Sequence, residues 1–159
     1  MKPPRDSQRS ALYRAAQKVR EGLPILSGIG EVQDYIDLLR DLGVVRRPIR
    51  ARWKQGGSGN YTTAHLGRRE IRFAREDWAL NEMVVIHEVS HFGIFERFDY
   101  SVAFHGPEFA GLMLWAADQA FGSVTANRLR VEYALNRVRY NDRAVVEMDV
   151  ERAIAACER

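Results

Sequence analysis

Two histidines and a glutamate stand close together near the middle of the chain, in the sequence His87-Glu88-Val89-Ser90-His91. If this segment is helical, the two histidines project from one face of the helix about one turn, or roughly 6 Å, apart. Both imidazoles can then bind the same Zn²⁺ ion. Glu88, beside the first histidine, can reach a water molecule on that ion and act as its general base. The motif therefore predicts a zinc site with a reactive carboxylate next to it.

The residues around the motif favour a helix that is buried on nearly all sides. Residues 83–86 are apolar throughout, and a stripe with 4-3-4 spacing contains Leu80, Val84, His87 and His91. A buried histidine needs either a metal ion or a hydrogen-bond partner. Accidental spacing is the other interpretation, but two of the four histidines in the chain fall within the motif, so we favour the metal.

Length and composition predict one domain of a water-soluble globular protein. The chain has 159 residues, of which 46% are hydrophobic and 28% charged, which is enough to bury a substantial core. We divide this single domain, residues 1–159, into N-terminal helices (1–43), a core with the sheet and the metal site (44–121) and C-terminal helices (122–159). No apolar run is long enough to span a bilayer or to act as a signal peptide. We therefore expect a cytoplasmic protein without a membrane partner.

The cysteine content and the net charge limit the possible kinds of site and partner. Cys157 is the single cysteine, which excludes an internal disulfide and a Cys-x-x-Cys zinc ribbon. The net charge is +3, and arginines are clustered in residues 46–52, 68–75 and 128–143. This excess is compatible with binding to DNA, but the acidic residues interspersed among the arginines favour an ordinary solvated surface.

Hydrophobic periodicity predicts an α+β fold with helices on both sides of a small sheet. Besides the histidine helix, the predicted helices cover residues 7–21, 31–42, 107–121, 123–139 and 142–157. Alternating residues predict strands at 49–54, 61–66 and 70–73, which we expect to form a three-stranded antiparallel sheet leading directly into the histidine helix. Ser7 is the expected cap of the first helix and Asp77 that of the histidine helix. The predicted inner face of helix 123–139 consists of Leu129, Val131, Leu135 and Val138.

A zinc ion held by two helical histidines needs at least one more protein ligand. The extended metzincin pattern is excluded, because it would place glycine and histidine where this chain has Ile94 and Arg97. Two candidates are left, namely His105, just before the next predicted helix, and Glu108 in its first turn. Glu108 is also suited to stabilise the helix start or to orient His105, and we favour these roles over direct ligation. We expect His65 to be an exposed strand residue rather than a ligand.

The histidine motif, followed by His-Gly-Pro-Glu-Phe at residues 105–109, resembles the SprT-like, or Spartan-type, metalloprotease domain. The chain is also similar to small predicted metallohydrolases of actinobacteria. The resemblance covers roughly residues 44–121 and implies a zincin-like fold with strand 61–66 at the edge of the sheet. It also implies that His87, His91 and His105 bind Zn²⁺ and that Glu88 is the catalytic base. Many members of the family have a cysteine zinc ribbon, which this chain lacks.

Together, the residues and the resemblance predict a zinc-dependent metallopeptidase, in which a zinc-activated water attacks a peptide bond of a protein or peptide substrate. Two alternatives stay open. One is a protease that acts on proteins bound to DNA, to which its basic residues would attach it. The other is a non-catalytic domain whose zinc only stabilises the fold. Tyr133 and Tyr140 are candidate donors to the oxyanion, and the sequence does not select either of them.

Overall fold

The fold combines several helices with one small sheet, and the computed structural model describes it for residues 4–56 and 61–147. The α+β class predicted from the sequence is confirmed. In chain order, the elements are α1 (Arg9–Arg20), α2 (Ile29–Asp41), β1 (Arg50–Trp53), β2 (Thr63–His65), β3 (Glu70–Phe73), α3 (Glu82–Phe98), α4 (Pro107–Phe121) and α5 (Ser123–Leu135). Short 3₁₀ turns cover Leu66–Arg68 and Asp77–Leu80, and residues 143–147 are helical. The rest of the predicted helix 142–157, including Cys157, lies outside the described residues.

The first two helices bury the apolar faces that their periodicity predicts. These faces consist of Leu12, Ala15, Ala16 and Val19 in α1 and of Val32, Tyr35, Ile36 and Leu39 in α2. The expected cap at Ser7 is wrong, because Gln8 occupies the N-cap position. The Gln8 side-chain amide donates to the backbone carbonyl of Arg139 (2.9 Å) and accepts from its N–H (3.0 Å). A contact with a distant segment of the chain therefore holds the start of α1.

The sheet is mixed rather than antiparallel, which corrects the prediction. Its strand order is β1-β3-β2, with β3 antiparallel to β2 and parallel to β1. Successive strands still alternate in direction, but β3 lies between the other two. The central place suits β3 because its Ile71 and Phe73 have no exposed surface, whereas β1 alternates between exposed and half-buried residues. Strand β2 lies at an edge of the sheet, as expected.

The outer face of the sheet is less basic than the sequence of β1 suggests. The Glu70 carboxylate of β3 forms one ion pair with Arg52 (Nε to Oε2, 2.9 Å) and another with Arg72 (Nε to Oε1, 2.6 Å). These arginines hold the pKa of Glu70 below its usual range, with the Arg72 hydrogen bond as the main cause. The carboxylate therefore neutralises part of the positive charge that the two arginines present.

Helix α3 begins at an asparagine rather than at the predicted cap, Asp77. Asp77 instead opens the 3₁₀ turn, and Asn81 after it is extended (φ −70°, ψ 135°). The Asn81 side chain accepts from the N–H of Met83 (3.0 Å). Its amide nitrogen donates to the backbone carbonyls of Arg20, the last residue of α1, and of Leu23 and Pro24. One amide thus caps α3 and joins its start to the end of α1.

Helix α3 lies in the interior and contacts α1, α2, α4 and β2. Most of its residues from Met83 to Ile94 are buried on every side, which confirms the prediction of a helix surrounded by the core. Gly93 marks the closest approach. A Cβ atom there would meet Leu112 of α4 at 2.7 Å and the backbone carbonyl of Val44. The helix therefore has little freedom to shift relative to its neighbours.

Helix α5 corrects two predicted core positions. Ala126, Leu129 and Tyr133 form its buried stripe, whereas Val131 and Leu135 are 58% and 72% exposed. The helix ends at Leu135, so Val138 is not part of its apolar face as predicted. Val138 is nevertheless buried, in the segment that follows the helix. Within the described part of the chain, no helix combines the length and the apolar character needed to cross a membrane.

Candidate metal centre

Three histidines from two segments of the chain converge at one point inside the fold. His87 and His91 lie on α3, and His105 lies in the loop immediately before α4. Each offers one ring nitrogen, and these three nitrogens lie within 4.8 Å of one another. The Nε2 atoms of His87 and His105 are 3.3 Å apart. The histidines that the sequence singled out are therefore brought together in the structure.

The arrangement of the three imidazoles fits a metal ion. Burial lowers the pKa of His87 and His91 well below the usual range and also lowers that of His105, which favours the neutral, metal-binding form of the rings. A proton can bridge two of the nitrogens, whereas a metal ion can bind all three. Two nitrogens on a tetrahedral zinc, each about 2.0–2.1 Å from it, lie roughly 3.3–3.4 Å apart, which matches the separation of 3.3 Å. The cluster can hold a metal ion, and imidazole ligands suit several transition metals.

The loop and the start of α4 fix the position of the third histidine. Helix α3 ends at Phe98, and Asp99 turns the chain with a positive φ of 49°. Pro107 occupies the first turn of α4, where its missing N–H is not needed. Phe109, two residues later, packs against all three imidazoles, with ring centroids 4.7–5.1 Å away. This one aromatic ring forms the apolar base of the site.

Asp6 orients His105, and this contact was missed by the sequence analysis. The Asp6 carboxylate lies 2.5 Å from Nδ1 of His105, although the two residues are 99 positions apart. If Nδ1 donates to Asp6, the Nε2 lone pair of His105 is directed at the other histidines. Metal-binding histidines usually have such a carboxylate or carbonyl partner. No local motif marks Asp6, since it stands alone before α1.

Glu108, the alternative third ligand, lies outside the histidine cluster. It is in the first turn of α4, where a carboxylate interacts favourably with the helix dipole. Its Oε1 accepts from the side-chain amide of Asn141 (3.2 Å). The role of orienting His105, which the sequence analysis considered for Glu108, belongs to Asp6. His65 is half-buried at the end of β2 and also lies outside the cluster.

Glu88 is buried beside the three histidines and faces the same space. It shares the wall of a cavity of about 300 Å³ with His91 and His105. Burial raises the pKa of its carboxyl group to about 7, against the lowering effects of a hydrogen bond from the Ala64 N–H and of the positive charge of Arg9. A carboxyl group in this range can both accept and release a proton near neutral pH.

A second, smaller cavity of about 170 Å³ also has Glu88 in its wall. The walls of both cavities include Tyr13, Tyr61, Thr62 and Glu88. The wall of the larger cavity includes the charged residues Asp6 and Arg9 besides the apolar Leu66 and Phe104. The wall of the smaller cavity is more apolar, with Ala16, Trp78, Met83 and Val84, although Arg20 also lines it. The buried carboxylate thus lines two spaces of different chemistry.

Tyr13 of α1 covers the site and was also missed by the sequence analysis. Its ring centroid is 4.8 Å from that of His87 and 5.5 Å from that of His105. Arg9, one turn earlier, donates a hydrogen bond to the Tyr13 hydroxyl. The pKa of this hydroxyl is raised, mainly because the group is partly buried. An aromatic residue on the polar face of α1 is the sequence signal that could have identified Tyr13.

The two tyrosines that the sequence analysis considered as donors lie elsewhere. Tyr133 is fully buried in the core, and its hydroxyl donates to the backbone carbonyl of Ala110 (3.3 Å). Tyr140 packs against Tyr133, with their ring centroids 5.7 Å apart. Neither lines the two cavities described beside Glu88. Both are packing residues in this structure.

Comparisons of the chain with models of known protein families, with curated proteins and with solved structures return no match. What supports a function for this chain is therefore its own residues, above all the three histidines and the buried carboxylate beside them.

The Asp6 contact generates a prediction about metal affinity. We expect Asp6→Asn to weaken Zn²⁺ binding about 10–100-fold, because a neutral amide holds the His105 ring less firmly than a carboxylate does. Isothermal titration of the metal-free protein measures this change. Asp34→Asn, an exposed position on α2, and Glu108→Gln are matched controls that should keep the affinity. Equal affinities for Asp6→Asn and wild type would show that Asp6 does not support the ligand.

Proposed function

We propose that the protein is a zinc-dependent peptidase, which hydrolyses peptide bonds in a protein or peptide substrate. The observation that supports this most strongly is the convergence of three imidazoles next to a buried carboxylate. Catalytic zinc sites have three protein ligands and an open position, whereas structural sites are closed by four. The ligand set His87, His91 and His105, with Glu88 as the base, is the one implied by the resemblance to SprT-like domains and by their zincin-like fold.

The reaction requires a proton to move from water to the leaving amine. A bound Zn²⁺ ion supplies a Lewis acid and lowers the pKa of a water molecule toward about 7. Glu88 accepts the proton of the attacking water on a carboxylate oxygen and later delivers it to the nitrogen of the broken peptide bond. Its N–H partner, Ala64, orients the carboxylate during both transfers. Asp6 and Phe109 keep the His105 ring in place throughout.

Tyr13 is the residue that we assign to the carbonyl oxygen of the scissile bond. Negative charge develops on this oxygen in the transition state, and a donor placed there is worth about 10²–10³ in rate. Tyr13 lines both cavities beside Glu88 and packs on two of the three imidazoles. The hydrogen bond from Arg9 leaves the Tyr13 hydroxyl proton available and adds positive charge nearby.

The substrate backbone can extend along β2. This strand is at the edge of the sheet, and its Thr63 and Ala64 line the cavity that contains Glu88. A peptide in extended conformation can add to such an edge through backbone hydrogen bonds, which recognise the chain without reading its sequence. The edge strand would then hold the scissile bond next to the carboxylate.

The role of Glu88 can be tested with the isosteric variant Glu88→Gln. We expect zinc content to stay at the wild-type level and turnover of a peptide substrate to fall about 10²–10⁴-fold, because the amide cannot accept the proton of water. Zinc is measured by elemental mass spectrometry and turnover with a quenched fluorescent peptide. Full turnover in zinc-loaded Glu88→Gln would contradict the mechanism. A zinc-loaded wild type that cleaves nothing would favour the alternative of a non-catalytic, zinc-stabilised domain.

The role of Tyr13 can be separated from simple packing by Tyr13→Phe. We expect kcat to fall about 10²-fold or more while KM and zinc content stay close to wild type, because the lost donor acts only in the transition state. Tyr140→Phe, which removes a hydroxyl far from Glu88, is the matched control. A Tyr13→Phe protein with wild-type kcat would assign the oxyanion to another donor.

Action on DNA-bound proteins stays a prediction from the resemblance and from the basic residues. The cytoplasmic location, expected from the apolar pattern of the sequence, also stays a prediction. Two arginines of the sheet, Arg52 and Arg72, are paired with Glu70, so this face offers DNA less charge than the sequence suggests. A gel shift with duplex and single-stranded DNA at several salt concentrations is the appropriate test, because phosphate contacts weaken steeply with salt.

A further inference from the structure

We propose that the smaller cavity beside Glu88 binds one large apolar side chain of the substrate, so that the peptidase cleaves next to phenylalanine-like or leucine-like residues. This inference rests on the proposed function and adds a substrate class to it. The pocket, which we call the apolar pocket, is defined by Ala16, Trp78, Met83 and Val84 together with Tyr13 and Tyr61.

The wall of the apolar pocket comes from three separate elements. Ala16 belongs to α1, Trp78 to the 3₁₀ turn Asp77–Leu80, and Met83 and Val84 to the first turn of α3. The Asn81 amide joins these same elements by capping α3 and binding the carbonyl of Arg20. The pocket is thus held open by the packing that also fixes the histidine helix. An apolar side chain that enters it leaves water and gains contacts.

The size of the pocket suits one side chain of intermediate to large volume. Its volume is about 170 Å³, and an apolar cavity of about 150 Å³ in another protein is known to hold one benzene ring. A phenyl or a branched aliphatic side chain therefore fills it. A methyl group would leave most of the pocket empty and would lose most of the favourable burial.

The position of the pocket relates it to the scissile bond. Glu88 and His87 form part of its wall, and Glu88 also forms part of the wall of the larger cavity, which has charged residues in its wall. A peptide whose scissile bond lies at Glu88 therefore places the side chains on its two sides in different surroundings. One side chain enters the apolar pocket, whereas the other faces Asp6, Arg9 and Thr63. The geometry predicts selectivity on one side of the bond.

Arg20 is the charged group that could change this preference. Its guanidinium lies over the Trp78 ring, 5.9 Å from the centroid, and Arg20 also lines the pocket. A lysine side chain would be repelled by Arg20 and would lose its hydration. An acidic side chain could instead pair with Arg20, so an acid-selective pocket is the rival that the experiment must distinguish.

The test uses zinc-loaded wild-type protein and two series of quenched fluorescent peptides. Each series varies one of the two residues that flank the scissile bond, among Phe, Leu, Ala, Asp and Lys. We expect kcat/KM for Phe and Leu to exceed that for Ala, Asp and Lys by about 10–100-fold in one series, as the burial of one large apolar side chain allows. In the other series, we expect differences of less than about 10-fold.

Val84→Phe tests whether the apolar pocket is the cause of this preference. The added ring should fill the pocket and lower kcat/KM for the Phe peptide to about the level of the Ala peptide. Val131→Phe, at an exposed position of α5, is the matched control. Binding of the same peptides to Glu88→Gln, with and without Val84→Phe, gives a readout that does not require turnover. We expect the Phe peptide to bind more tightly than the Ala peptide only where the pocket is open.

The possible outcomes separate the pocket from the proposed function. A wild type that cleaves the Ala, Asp and Lys peptides of both series as well as the Phe and Leu peptides overturns the pocket alone. A preference for the Asp peptide overturns it too. A Val84→Phe protein that keeps the wild-type preference overturns it as well. A wild type that binds zinc but cleaves none of the peptides overturns the proposed function and the pocket together.

Discussion

Three buried imidazole nitrogens that face one another are the constraint on which the rest of this structure depends. Histidines in the core are costly unless their nitrogens find partners, and one ring nitrogen from each of His87, His91 and His105 faces the others. A metal ion satisfies all three at once. The same burial that favours the neutral form of these rings raises the pKa of Glu88 to about 7. One environment therefore prepares both a metal site and a group that can exchange protons.

The site is built from parts of the chain that are far apart in sequence. Helix α3 supplies two histidines and the carboxylate, the loop before α4 supplies the third histidine, and the N-terminal region supplies Asp6 and Tyr13. The start of α1 is in turn joined to residue 139 through Gln8. The N-terminal segment is thus part of the site, and its residues line both cavities beside Glu88. Both the proposed apolar pocket and the proposed transition-state donor therefore depend on α1 as well as on the histidine motif.

Local patterns predicted most of the elements and the shared face of His87 and His91, because helical spacing determines which side chains lie together. The apolar stripes of α1 and α2 are further examples. The patterns left His105 and Glu108 open as the third ligand, and the resemblance favoured His105. The sheet order could not be predicted in this way, since pairing of β1 with β3 depends on which strand the core covers most completely. Asp6 and Tyr13 were missed for the same reason, because their roles arise only when α1 packs over α3. The prediction was wrong in the other direction for Val131 and Leu135. Both fit the apolar period of the sequence, but they lie on a face of α5 that the core does not cover.

Metal content is the measurement that tests this account most directly. Untagged wild-type protein is compared with His105→Ala and with the matched control His65→Ala by elemental mass spectrometry after zinc is supplied and the excess removed. The account predicts about one zinc per chain in the wild type and in His65→Ala, and its loss or strong reduction in His105→Ala, because two helical histidines alone hold zinc weakly. A wild type without zinc, or a His105→Ala protein that keeps it fully, would contradict the three-histidine site.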